Sequence, residues 1–176
     1  FLDFEFKSVI VCIGGFTLGP VAALILSVLV PVVEFFTISG TGPIGLLMNV
    51  LSTAAFSCTA CWIYKKYHSL NGAVVGLGMG TAAMTVLMLL WNYLITPIYQ
   101  GVAREVVAGM LVPVFLPFNL LKAGLNSALT LSLYKPLVTA LRKIRLIEDP
   151  SSGNSSSKHG VYLLAAILLI TCILLL

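Results

Sequence analysis

Charged residues cut this chain into long apolar blocks, at about 8 to 33, 35 to 64, 67 to 103, 106 to 121, 123 to 134 and 159 to 176. Most of them approach or exceed the roughly 20 residues that carry a helix across a bilayer. Turn residues refine the blocks: Gly19-Pro20, Ser39-Gly-Thr-Gly-Pro43, Lys65-Lys66-Tyr-His-Ser69, Thr96-Pro97 with Gly101, and the pair Pro113 and Pro117. The pattern predicts a short helix over 8–18, full helices over 20–36, 43–64, 71–95 and 117–141, and a reentrant or interfacial piece over 103–112. Residues 8–36 are too long for one ordinary span, and Gly19-Pro20 breaks a helix, so they are expected to form a hairpin. The fold class is therefore an all-α polytopic membrane bundle over 1–147. The polar segment Glu148 to Lys158 reads as a flexible cytoplasmic linker, and 159–176 as one further transmembrane anchoring helix.

Composition supports lipid as the solvent. The chain has 176 residues, 59% hydrophobic and 9% charged, with a mean hydropathy of +1.07; a soluble domain is about 25% charged. A net charge of +4 on such a chain is not a nucleic-acid footprint and instead reports orientation. The loops over 65–68 and 135–146 carry Lys65, Lys66, Lys135, Arg142, Lys143 and Arg145, whereas those over 37–42 and 96–105 carry only Arg104. The first pair is expected inside and the second outside, which leaves Asp3 and Glu5 outside. The start on Phe1-Leu-Asp-Phe4 and the end within an apolar run lead us to expect a fragment.

Enzymatic chemistry is poorly represented. No H-E-x-x-H, G-x-S-x-G or P-loop pattern occurs, and His68 and His159 sit in or beside polar loops. A transporter without a nucleotide site must take ATP energy from another chain or use an ion gradient. Cys12, Cys58, Cys61 and Cys172 all fall in apolar runs, where packing is the simplest role. Gly72, Gly76 and Gly80 form a smooth ridge that lets helices approach in lipid, either within this chain or against a partner.

Lys122 stands out because it interrupts an apolar helix in Phe118-Asn-Leu-Leu-Lys-Ala-Gly-Leu-Asn126. With a helix starting at Pro117 it would lie about 7 to 8 Å inside, near the outer mouth. Asn119, Lys122 and Asn126 share one helix face, so they look at a cavity or another helix. The competing reading is that Lys122 snorkels to the interface while the two Asn bond across helices. Asn92 and Asn49 reach similar depth on neighbouring helices. Amides and one ammonium beside Trp91, Tyr93, Phe115 and Phe118 describe a pocket for a flat, uncharged heterocycle, although Trp and Tyr at that depth also populate interfacial belts.

Leu2-Asp-Phe4, Gly15-Phe-Thr-Leu-Gly-Pro20, Thr41-Gly-Pro-Ile-Gly45 with Asn49, Trp91-Asn-Tyr-Leu-Ile-Thr-Pro97, and Pro117-Phe-Asn-Leu-Leu-Lys122 followed by Leu133-Tyr-Lys-Pro136 resemble the riboflavin-specific S components of energy-coupling-factor (ECF) vitamin transporters, over residues 1 to about 145. The resemblance implies a six-helix bundle that captures riboflavin from outside. It implies as partners a transmembrane coupling subunit and two ABC-type ATPases in a bacterial plasma membrane. Riboflavin would be the transported ligand, with no resident cofactor and no enzymatic activity. Family flavin contacts fall on Asn92, Asn119 and Lys122, with Asp3 and Asn49 lining the same region. The first family helix, which docks the coupling subunit, has no counterpart before Phe1, and the tail beyond about 150 lies outside the family pattern. Two rival classes are a membrane receptor holding a chromophore as a Schiff base on Lys122, and a structural protein whose polar face only joins helices.

Overall fold

The computed structural model describes residues 6–37 and 42–143. Asp3, the linker over 148–158 and the anchoring helix over 159–176 lie outside the described residues. Helix α1 (Lys7–Leu18) turns at Gly19 into α2 (Pro20–Thr37), followed by α3 (Gly42–Lys66) and α4 (Leu70–Gln100). A short α5 (Arg104–Met110) then runs through a π turn (Leu111–Phe115) into α6 (Leu116–Lys143). Among the described residues, four helical stretches are long and apolar enough to cross a membrane: Pro20–Thr37, Gly42–Lys66, Leu70–Gln100 and Arg104–Tyr134.

The expected hairpin over 8–36 is present. Gly19 adopts φ 99°, a conformation that side chains with a Cβ resist, and its N–H caps α1 on the carbonyl of Gly15. Short α1 is walled in by α2, α3 and α6, and most of its residues are buried. The end of the bundle carrying Lys65 and Lys66 is taken below as the inner end.

The small-residue ridge packs helices within the chain. A Cβ at Gly76 would lie 2.7 Å from the carbonyl oxygen of Ala60, and one at Gly80 would lie 2.6 Å from that of Phe56, so α4 rests on the backbone of α3. Gly78, one step around the helix, faces open space. Cys61 also serves packing: its Sγ lies 3.6 Å from the carbonyl of Cys12, and a Cβ at Gly15 would collide with it. At the inner end Phe16, Tyr64 and Tyr134 form one aromatic cluster, with Phe16 and Tyr64 ring centroids 4.4 Å apart and the two tyrosine hydroxyls hydrogen-bonded. Lipid faces the outside, where Val74, Val75, Met79, Val86 and Leu90 of α4 are exposed.

Two expectations are corrected. The helix expected to end at 95 continues through Pro97 to Gln100 and stops at Gly101, whose φ of 65° caps it. Proline removes one N–H but does not end this helix, because its neighbours remain in register. The separate reentrant piece over 103–112 does not exist either. Helix runs without a break from Arg104 to Lys143, and the donors missing at Pro113 and Pro117 are absorbed by the π turn around Pro113.

Candidate functional site

Continuity of the last helix changes where Lys122 sits. It follows Arg104 by 18 residues, or about 27 Å at 1.5 Å per residue, instead of 7 to 8 Å. Neighbouring α4 gives the same answer. Thr81 and Ser127 hydrogen-bond across α4 and α6 at 3.1 Å, which fixes the register of the two antiparallel helices. Lys122 lies five residues outward from Ser127, Asn119 eight, and Asn92 eleven residues outward from Thr81. Asn119 is thus about 4 to 5 Å, and Lys122 about 9 Å, deeper than Asn92. Lys122 belongs to the middle of the bundle, where its residue is 8% exposed; snorkelling to the outer interface does not describe it.

All three belong to buried faces. On α4 the buried positions step from Gly72 through Gly76, Gly80, Met84 and Met88 to Asn92 and Thr96, so one inward stripe changes from small to apolar to polar as it rises. On α6 the buried stripe is Asn119, Lys122, Ala123, Asn126 and Thr130. The π turn immediately precedes it and orients its first member: Asn119 donates from Nδ2 to the carbonyl of Phe115 at 2.8 Å. Asn92 donates from Nδ2 to Met88 at 2.7 Å and accepts on Oδ1 from Thr96 at 3.0 Å. Each bond fixes an amide plane and leaves part of its capacity unused, since a side-chain amide has two donor hydrogens and two acceptor lone pairs.

A small, open recess lies between the outer ends of α3 and α4. Ile44, Gly45 and Met48 form one wall, and Trp91, Asn92, Ile95, Thr96, Tyr99 and Gln100 the other. Asn49 is half-buried beside Met48 and does not line this recess. Tyr93 turns away and lies under the Arg104 guanidinium, 5.6 Å from ring centroid to charge. The structure therefore unites Asn92 with Trp91 at the recess and sets Asn119 and Lys122 deeper on the facing α6, while Asp3 lies outside the described residues.

Sequence reasoning missed three residues of the recess and one ion pair outside it. Thr96 orients Asn92, and Tyr99 and Gln100 complete a wall that an α4 ending at 95 could not have. The largest omission is the buried ion pair of Lys7 and Glu34. A hairpin turning at Gly19 places both residues 12 to 15 positions from the turn, which was the available signal.

The described part is a multi-pass helical membrane protein with a polar interior facing a recess at its outer end. The chain belongs to the family described as ECF transporter, substrate-specific component, whose model matches residues 1–134. It is 29% identical over 151 residues to the riboflavin transporter RibU of Staphylococcus aureus, covering 82% of this chain and 79% of that protein. It is 31% identical to the riboflavin transporter FmnP of Bacillus subtilis, covering 69% of each. A solved structure described as the S component of a bacterial ECF transporter superposes with a TM-score of 0.68 at 30% identity, covering 80% of both chains.

Proposed function

We propose that this chain is the riboflavin-binding membrane subunit of an ATP-driven ECF importer in a bacterial plasma membrane. The observation that carries the reading is the burial of Asn119 and Lys122 at mid-bundle, deeper than Asn92 on the opposing helix. In lipid such groups are costly unless they serve a ligand or one another. The recess offers Trp91 and Tyr99 as flat apolar surfaces, and the interior offers amide and ammonium groups. That combination suits a planar heterocycle rich in carbonyls and ring nitrogens. The riboflavin transporters to which the chain is similar support the same ligand.

Asn92, Asn119 and Lys122 are the proposed flavin contacts, with Asn49 and Asp3 as flanking members. Flavin enters from the outer end, and ammonium and amide donors replace the water it sheds. The sequence carries no P-loop, so ATP energy for inward release would come from other chains. Two ABC-type ATPases and a transmembrane coupling subunit are the proposed source. A Schiff base on Lys122 is disfavoured because the described residues hold only two carboxylates, Glu34, which pairs with Lys7, and Glu105, which is exposed.

The test is riboflavin uptake into proteoliposomes loaded with ATP. Accumulation is expected when this chain is reconstituted with a coupling subunit and two ATPases, and not when it is alone. ATP-dependent accumulation by the chain alone would refute the proposal.

A further inference from the structure

Among the described residues, both amide atoms of Asn126 are buried without a hydrogen-bond partner, and so is Oγ of Ser57. Asn126 has no solvent exposure. An orphaned amide in an apolar interior is costly, and native proteins rarely keep one without a use. Asn126 is not isolated from the candidate site. It lies one turn inward of Lys122 and two turns inward of Asn119 on the same buried stripe of α6. The stripe closes just below it, where Thr130 turns its hydroxyl back onto the carbonyl of Asn126 at 2.7 Å.

Ser57 approaches the same level from α3. The hydroxyls of Tyr64 and Tyr134 meet at the inner end. Ser57 lies seven residues outward from Tyr64, and Asn126 eight residues outward from Tyr134. The two orphaned groups therefore differ in height by only about 1.5 Å. Asn126 lies one turn beneath Lys122, and the aromatic cluster of Phe16, Tyr64 and Tyr134 lies further inward.

The chemistry of the Asn126 amide is specific. An asparagine amide presents a donor and an acceptor side by side. The pyrimidine edge of a flavin presents an imide N–H flanked by carbonyl oxygens, so the two can close a pair of parallel hydrogen bonds. Asn92 and Asn119 already spend an Nδ2 donor on their own helices, whereas the amide of Asn126 is wholly uncommitted. We infer that Asn126 is a specificity-determining residue that reads the imide edge of the bound flavin, with Lys122 donating one turn above it. This inference rests on the riboflavin reading proposed above.

The experiment titrates detergent-solubilised wild type, Asn126→Leu and Asn126→Ala with three ligands: riboflavin, 3-methylriboflavin, which lacks the imide N–H, and lumiflavin, which keeps it but lacks the ribityl chain. Riboflavin binding to wild type is read first, because its absence sinks the functional reading itself. Given that binding, both variants are expected to lose roughly 10- to 100-fold in affinity for riboflavin. Lumiflavin should suffer the same fold-loss. Wild type should prefer riboflavin to 3-methylriboflavin, and that preference should collapse in the variants. Melting of the ligand-free Asn126→Leu protein should be unchanged or raised, since an orphaned amide is removed. An unchanged riboflavin affinity overturns the inference. So does a preference for riboflavin over 3-methylriboflavin that survives substitution, or a loss confined to riboflavin, which would assign Asn126 to the ribityl chain.

Discussion

Lys7 on α1 and Glu34 on α2 form an ion pair in which the lysine side chain has no solvent exposure and the glutamate side chain 12%. The pair closes the open end of the hairpin that Gly19 turns, so α1 is held at both ends. Removing one partner takes a buried opposite charge away from the other, at a cost of roughly 3–5 kcal/mol in buried pairs. Lys7→Met and Glu34→Leu should each lower the melting temperature markedly. The double variant should melt above either single one, because it removes both buried charges together. Melting followed by tryptophan fluorescence checks this, and a double variant that loses the sum of the two single effects would contradict it.

The contact of α4 on α3 depends on two absent side chains. Gly76→Ala or Gly80→Ala drives a Cβ to within 3 Å of a backbone carbonyl of α3, and such overpacking costs roughly 1–3 kcal/mol. Because Gly45 and Met48 of α3 face Asn92 of α4 across the recess, separating these helices should also weaken ligand binding. Gly78→Ala meets nothing and should be neutral or slightly stabilising, since alanine favours helix over glycine. Comparing the melting temperatures and ligand affinities of the three variants is the check.

Particular residues explain how much was legible in the sequence. Apolar block length located every described spanning helix, and Gly19-Pro20 located the hairpin, because lipid leaves few alternatives to a helix. The prolines misled. Pro97, Pro113 and Pro117 are strong breakers in water, yet in this bundle a proline is carried inside α4 and a π turn takes up the other two. That error shortened α4 and shortened the last helix, which hid Tyr99 and Gln100 and set Lys122 some 20 Å too close to its helix start. The shared face of Asn119, Lys122 and Asn126 was readable from spacing alone. The pairing of Lys7 with Glu34 was readable only through the hairpin, whose two arms bring positions 12 and 15 residues from Gly19 to a similar height.

Depth makes the Lys122 prediction sharper. Lys122→Met keeps the stem and removes the donor. A hydrogen bond from a charged group is worth about 1.5–3 kcal/mol, so riboflavin affinity should fall roughly 10- to 150-fold, with folding preserved because a charge leaves the interior. Titration of flavin fluorescence measures it. A change below about twofold in intact protein would remove Lys122 from the site.

Sidedness follows from Lys65 and Lys66 at one end of the bundle. His68→Cys, in a background without other cysteines, should resist a membrane-impermeant thiol reagent added to intact cells, and Val102→Cys should react. Both positions are exposed on opposite ends of α4, so the reverse pattern would invert the entry route.

The most direct measurement is a titration of the purified, ligand-free chain with riboflavin, followed by flavin fluorescence in detergent without nucleotide or partner proteins. Saturable binding of one flavin per chain is predicted, with the emission changed by enclosure beside Trp91 and the Lys122 ammonium. A well-folded protein that leaves riboflavin emission unchanged across the titration would contradict the account.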